Sequence, residues 1–215
     1  MRLIVFLNQN RSKMKNEILK MPASANRVDT LTDALVNVMK YSDSSVDYPN
    51  IDEAKPDDGV IAEWFYPIYN GANDFSELTA IHMYTSQEAE FDEIGELMLG
   101  IGLTEMKHYA KLADLIRQLG GKIDQRYDNS GVAIGETPRE ALSIAYNAEV
   151  KTIDFYQRLT EKIQKVKQTK TTVIALQLIS KLIADEELHQ KLLKQAITEF
   201  SKKEQMLRDK LEEIT

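Results

Sequence analysis

Residues 101–112 read IGLTEMKHYAKL and residues 182–193 read LIADEELHQKLL, and each stretch sets the pattern E-x-x-H on an apolar stripe. In the first, Glu105 and His108 fall between Ile101 and Leu112; in the second, Glu186 and His189 fall between Leu182 and Leu193. Residues three apart on a helix share a face, so each Glu–His pair can reach one point in space. The chain has 3 histidines, and two of them occupy this pattern. Upstream of each motif stands a second repeat. Glu77 is followed seven residues later by Tyr84, and Glu149 seven residues later by Tyr156. Seven residues make almost two turns, so each tyrosine lies on the stripe of its glutamate. The two halves therefore read as copies of one helical hairpin.

Working outward, the helical signals run from residue 73 onward. Asn73 or Asp74 is placed to cap a first helix through Glu77, Ile81, Tyr84 and Glu88. A break at Phe91–Asp92 opens a second helix, which carries the first E-x-x-H and stops at Gly120-Gly121. Lys122 to Pro138 has turn residues and no period. Thr137 and Pro138 then start a third helix holding Leu142, Ala145, Glu149, Ile153 and Tyr156. A polar loop at Lys165 to Lys170 leads to a fourth helix with the second E-x-x-H. Short joins within each pair make antiparallel hairpins, and the long join between them can cross the length of a bundle. The expected fold is all-α: a four-helix bundle over residues 71–200 with one long crossover, and a C-terminal helical tail at 201–215. Residues 1–70 are expected to form a partly irregular N-terminal extension. It holds a short helix capped by Asp29 or Thr30 and carrying Leu31, Leu35, Val38 and Met39, then a turn-rich stretch, Tyr41 to Gly59. An aromatic knot at residues 64–69 suits core packing. The buried character of its aromatics suggests that this segment wraps a neighbouring subunit.

Composition narrows the chemistry. The 215 residues carry a formal net charge of -7, which disfavours nucleic acid as the main partner. There is no cysteine, so disulfides, iron–sulfur clusters and thiol nucleophiles are excluded. No apolar run approaches the length of a membrane span, and Leu3–Leu7 is too short for a signal core. A cytoplasmic protein without membrane or nucleic-acid partners is the expectation.

Four glutamates on the inward stripe of a bundle lose solvation worth many kcal/mol unless cations compensate them. The set matches a known bundle template in which two carboxylates bridge a metal pair, two cap it, and each histidine serves one ion. The expected ligands are Glu77, Glu105, His108, Glu149, Glu186 and His189, around two iron or manganese ions per chain. Tyr84 and Tyr156 can bond a ligand of the opposite half, orienting it or carrying a proton. The plainer alternative is a salt-bridged surface face. His82 lies off the stripe and reads as structural.

At these motifs the sequence resembles the ferritin-like superfamily across roughly residues 70 to 200. Residues 76–81 (SELTAI), 105–108 (EMKH) and 185–189 (DEELH) look like bacterioferritin; residues 69–78 (YNGANDFSEL) and 101–105 (IGLTE) look like manganese catalase. Rubrerythrin shares the grammar, but Ala80 and Thr152 stand where it could place a further ligand glutamate, and the cysteines of its rubredoxin module are missing. Against manganese catalase, Ala148 replaces an expected arginine. The 28 residues from Glu77 to Glu105 fall short of the bacterioferritin spacing, which puts a storage cage in doubt. Met106 matches the bacterioferritin haem ligand, with a packed methionine as the ordinary reading. The resemblance implies catalase- or peroxidase-like redox chemistry on hydrogen peroxide or oxygen, with Glu186 in a possible base role and Tyr84 and Tyr156 assisting. One alternative is bacterioferritin-like oxidation and storage of ferrous ion; another is a metal-stabilised structural or coat-type protein. A homo-oligomer is expected in each case.

Overall fold

The computed structural model describes residues 40–56, 59–123, 128 and 130–212. They form five helices and no strand among the described residues: α1 (Tyr66–Asn70), α2 (Glu77–Glu90), α3 (Gly95–Gln118), α4 (Pro138–Gln164) and α5 (Lys170–Glu212). Helices α2 to α5 form the four-helix bundle with one long crossover expected from the sequence. The expected short helix around Leu31 to Met39 lies outside the described residues.

Local chemistry explains most of the helix ends. Ser76, not Asn73 or Asp74, caps α2: its Oγ accepts from the Thr79 N–H at 3.3 Å. Asn73 is used one step earlier, where its Oδ1 accepts from the Phe75 N–H at 2.9 Å and turns the chain into the helix. At the end of α3, the Gly120 N–H reaches the Arg117 carbonyl at 3.0 Å and the Gly121 N–H the Ile116 carbonyl at 2.9 Å. That paired closure needs a left-handed residue, and Gly120 supplies it at φ 80°. Thr137 caps α4 by accepting from the Glu140 N–H at 3.2 Å, with Pro138 in the first turn. Before α5, Thr169 and Thr172 each donate a backbone N–H to the other's hydroxyl.

Phe91–Ile94 joins α2 to α3 and residues 165–169 join α4 to α5, so each pair is a hairpin. The crossover between them runs along α2. The backbone at Gly131 lies against Asn73, just before α2 begins. Three residues further on, the Ile134 carbonyl accepts from Gln87 Nε2 in the last turn of α2, at 3.1 Å. The same amide donates to the Ala141 carbonyl at 3.2 Å, which fixes the start of α4 at that end. Consequently α4 runs antiparallel to α2. The helical tail expected after residue 200 continues α5 without a break through Glu212, giving one helix of 43 residues.

The core has two apolar clusters. One holds Leu112, Leu115, Ile116, Leu159, Ile163, Leu178 and Leu182, together with Phe65, Ile68 and Tyr69 of the aromatic knot. The other holds Met83, Phe91, Met98, Ile101, Leu142, Ala145 and Leu193. Along α3 the polar pair Glu105 and His108 falls between Ile101 and Leu112; along α5 Glu186 and His189 fall between Leu182 and Leu193. A polar layer is thus sandwiched between two oily ones. Residues 41–56 lie over the α3 and α5 side of the bundle as a strap. Ile51 and Ala54 join the first cluster, and the Tyr41 ring packs on Gly100, where an added Cβ would stand 2.1 Å from it. The described part of the N-terminal segment therefore packs on its own bundle, and residues 1–39 lie outside the described residues.

Gly120→Ala is expected to lower unfolding free energy by about 1 kcal/mol, because it forces a side chain into positive φ. Gly95→Ala, whose new Cβ would meet nothing closer than 3.4 Å, is expected to be neutral or slightly stabilising. Urea unfolding of the two variants checks both.

Candidate metal centre

All six residues singled out in the sequence converge in the polar layer, and all are buried. His108 Nδ1 lies 3.0 Å from Glu105 Oε2, 3.1 Å from Glu186 Oε1 and 3.6 Å from Glu77 Oε2. His189 Nδ1 lies 3.0 Å from Glu105 Oε1, 3.0 Å from Glu186 Oε2 and 3.8 Å from Glu149 Oε1. Glu105 and Glu186 therefore offer one oxygen to each histidine, whereas Glu77 belongs to His108 and Glu149 to His189. The ring centroids are 6.0 Å apart. Two overlapping groups of donors, Glu77/Glu105/His108/Glu186 and Glu105/Glu149/Glu186/His189, each bring their ligand atoms within 4.8 Å of one another.

The tyrosines tie the hairpins together. Tyr84 donates to Glu149 and Tyr156 donates to Glu77, in each case between buried groups. Each thus orients the unshared glutamate of the other half, as the antiparallel run of α2 and α4 requires. Burial, followed by the charge of the facing glutamate, pushes both phenols well above their ordinary range.

Outer partners fix the imidazoles. His189 Nε2 donates to the Tyr41 carbonyl at 2.8 Å, and His108 Nε2 to Asp185 Oδ2 at 3.0 Å. Because a carbonyl and a carboxylate only accept, each neutral ring carries its proton on Nε2 and turns the Nδ1 lone pair toward carboxylate oxygens. Lone pairs facing lone pairs repel unless a proton or a cation lies between them. Glu105 Oε1 and Glu186 Oε1, moreover, are buried without a hydrogen-bond partner. The donor set fits a pair of divalent cations.

The charges respond accordingly. Burial, then the charge of Glu105, pushes Glu77 well above the usual carboxylate range; burial, then Glu186, does the same to Glu149. Burial also opposes ionisation of Glu105 and Glu186, but the facing histidines outweigh it and hold both below that range. Burial disfavours charged imidazoles, yet the carboxylates prevail, raising His108 well above its ordinary value and His189 to about 10.

Several partners were not singled out in the sequence. Asp185 accepts from His108, from Tyr48 Oη at 3.1 Å and from the Asp43 N–H at 2.5 Å. Lys181, a buried lysine, donates to Asp185 Oδ1 at 2.7 Å and to Ser42 Oγ at 3.0 Å. Lys181 could have been noticed as a cation one turn before Asp185 on an apolar stripe; the Tyr41 carbonyl has no side-chain signature. Met106 is 42% exposed on the single chain. His82 is exposed on α2, away from the site.

Residues 76–203 match the family model described as the ferritin-like domain. A bacterioferritin of Desulfovibrio desulfuricans is 26% identical over 118 residues, which are 53% of this chain and 63% of that protein. The chain thus spans less than two thirds of that curated relative's length. A solved bacterioferritin of Rhodobacter capsulatus, described with a metal-free dinuclear site and a haem iron, superposes with a TM-score of 0.57. It is 23% identical and covers 66% of this chain and 85% of its own, a likeness that shows the fold.

The raised groups predict how the metal-free protein responds to pH. His108 and His189 bind protons more tightly folded than at the ordinary value of 6.5, so their contribution is full below about pH 6.5 and is lost as pH rises, toward about 10 for His189. Glu77 and Glu149 carry the same sign. Chelator-treated protein should melt at progressively lower temperature from pH 6.5 to 10. Metal-loaded protein should not, since ions replace those protons. A metal-free melting temperature that is flat or rising over that window would contradict the assignment.

Proposed function

The chain belongs to the ferritin-like domain family, and from that premise we propose that it oxidises ferrous ion at a dinuclear centre. Glu105 and Glu186 would bridge the two ions, Glu77 and Glu149 would cap them, and His108 and His189 would each supply Nδ1 to one. The observation that carries the reading is the convergence of imidazole lone pairs and unpartnered carboxylate oxygens on two adjacent points in a buried layer. An oxygen-rich set with one imidazole per ion suits iron or manganese better than zinc or copper. Two such ions bound side by side would supply two electrons together to dioxygen or peroxide.

The residues of the chain do the rest. Asp185 and the Tyr41 carbonyl hold the imidazoles in the Nε2–H form; Tyr84 and Tyr156 hold the capping carboxylates. Glu77 and Glu149, raised by burial, keep protons that leave when an ion enters. Glu186 mirrors Glu105 atom for atom, which supports a bridging role over that of a free base. Support for iron oxidation over the catalase-like chemistry expected from sequence comes from a curated relative, the bacterioferritin of Desulfovibrio desulfuricans. A homo-oligomer belongs to the same reading.

The test is addition of ferrous ion to metal-free protein in air. Oxygen should be consumed, about two ions should bind per chain, and a His108→Ala, His189→Ala double variant should lose both. Oxygen release from peroxide without ferrous oxidation would move the function to the catalase-like alternative. Bound metal with neither reaction would leave the structural one. Light scattering of the loaded protein tests assembly, with a single chain as the outcome against it.

A further inference from the structure

The two halves of the site match in their ligands but not in what backs them. Each half supplies one histidine through Nδ1 and one unshared glutamate held by a tyrosine of the other hairpin, and both halves share Glu105 and Glu186. The difference lies behind the imidazoles. His108 is backed by the carboxylate of Asp185, the residue immediately before its partner motif's glutamate. In the other motif that place is taken by Thr104, which has no charge to offer. Its hydroxyl instead contacts the Gly100 carbonyl at 3.3 Å and the Tyr41 carbonyl at 3.5 Å. His189 is backed by that same neutral Tyr41 carbonyl, brought in by the strap. Asp185 is locked in turn by Lys181, Tyr48 and the Asp43 N–H, so its Oδ2 stays aimed at His108.

A hydrogen bond to an ionised acceptor is roughly twice as strong as one to a neutral acceptor, and a carboxylate behind a metal-bound imidazole makes it a better donor. We propose that the two metal positions are inequivalent: the one built on His108 and Glu77 binds its ion more tightly than the one built on His189 and Glu149. Asp185 is the positioning residue that sets the order. This rests on the metal-centre reading above.

The experiment is titration of the metal-free full-length chain with Co²⁺, followed by visible absorption and calorimetry. Repulsion between ions sharing two carboxylates can split the steps by itself, so the variants decide. Glu149→Gln should keep the tighter step and lose the weaker; Glu77→Gln should do the reverse. Asp185→Asn should weaken the tighter step by about 10–100-fold while leaving the weaker one within about threefold. Because that change leaves Lys181 buried without its carboxylate, the Lys181→Met, Asp185→Asn double variant is measured beside it, with the same selective loss expected. Identical behaviour of the two glutamine variants, or equal weakening of both steps on removing Asp185, overturns the inequivalence while the metal centre stands. No uptake of Co²⁺ by the unaltered chain overturns the metal centre as well.

Discussion

Four carboxylates and two imidazoles share one buried layer, and protein protons alone do not satisfy them. In the neutral rings, the shared oxygens of Glu105 and Glu186 face Nδ1 lone pairs, because the ring proton sits on Nε2 toward Asp185 and the Tyr41 carbonyl. Everything around the layer follows from holding that arrangement in place. Two oily clusters clamp it from either end, so its polar atoms have no water to turn to. Helices rather than loops carry the donors, and cross-hairpin tyrosines fix the two glutamates that are not shared. The layer is a place where folding alone leaves a debt of charge, which a pair of cations can settle.

What could be read in the sequence was what repeats. Glu–Tyr at seven residues and Glu–His at three are helical spacings, so the helices and their polar stripes followed from periodicity, while gathering the six side chains into one centre took the match to a known bundle template. The crossover was legible because a long aperiodic join cannot be a turn. Legibility ended where the backbone or a distant segment acts. Ser76 outcompeted Asn73 as the cap of α2, since Asn73 is consumed by the turn before it. The Tyr41 carbonyl cannot be seen in a residue pattern, because every residue has one. Asp185 stood in plain view beside Glu186, but its role depends on which hairpin its neighbour faces, and that is a fact of packing.

The repeat is also imperfect in an informative way. Thr104 and Asp185 occupy equivalent positions, and the fold answers the missing carboxylate at 104 with a carbonyl from outside the bundle. Lys181 shows the opposite economy: a lysine lodged in the core is tolerated because Asp185, Ser42 and the Asp43 carbonyl surround its ammonium. Both adjustments involve the start of the strap, Tyr41 to Asp43, which thereby reaches behind both histidines while donating no ligand.

The strap has a consequence for the order in which the molecule comes into being. Asp43 and Asp185 stand 142 positions apart in the chain, and His189 comes later still. Residues 41–48 leave the ribosome long before the helix they dock on exists, and contacts of that range close slowly. Each hairpin can zip from neighbours in sequence; the cover over the imidazoles must wait for the last helix. The site is therefore completed by a segment synthesised long before the helix it docks on, and until that helix forms Tyr41 lacks His189 and Asp43 lacks Asp185.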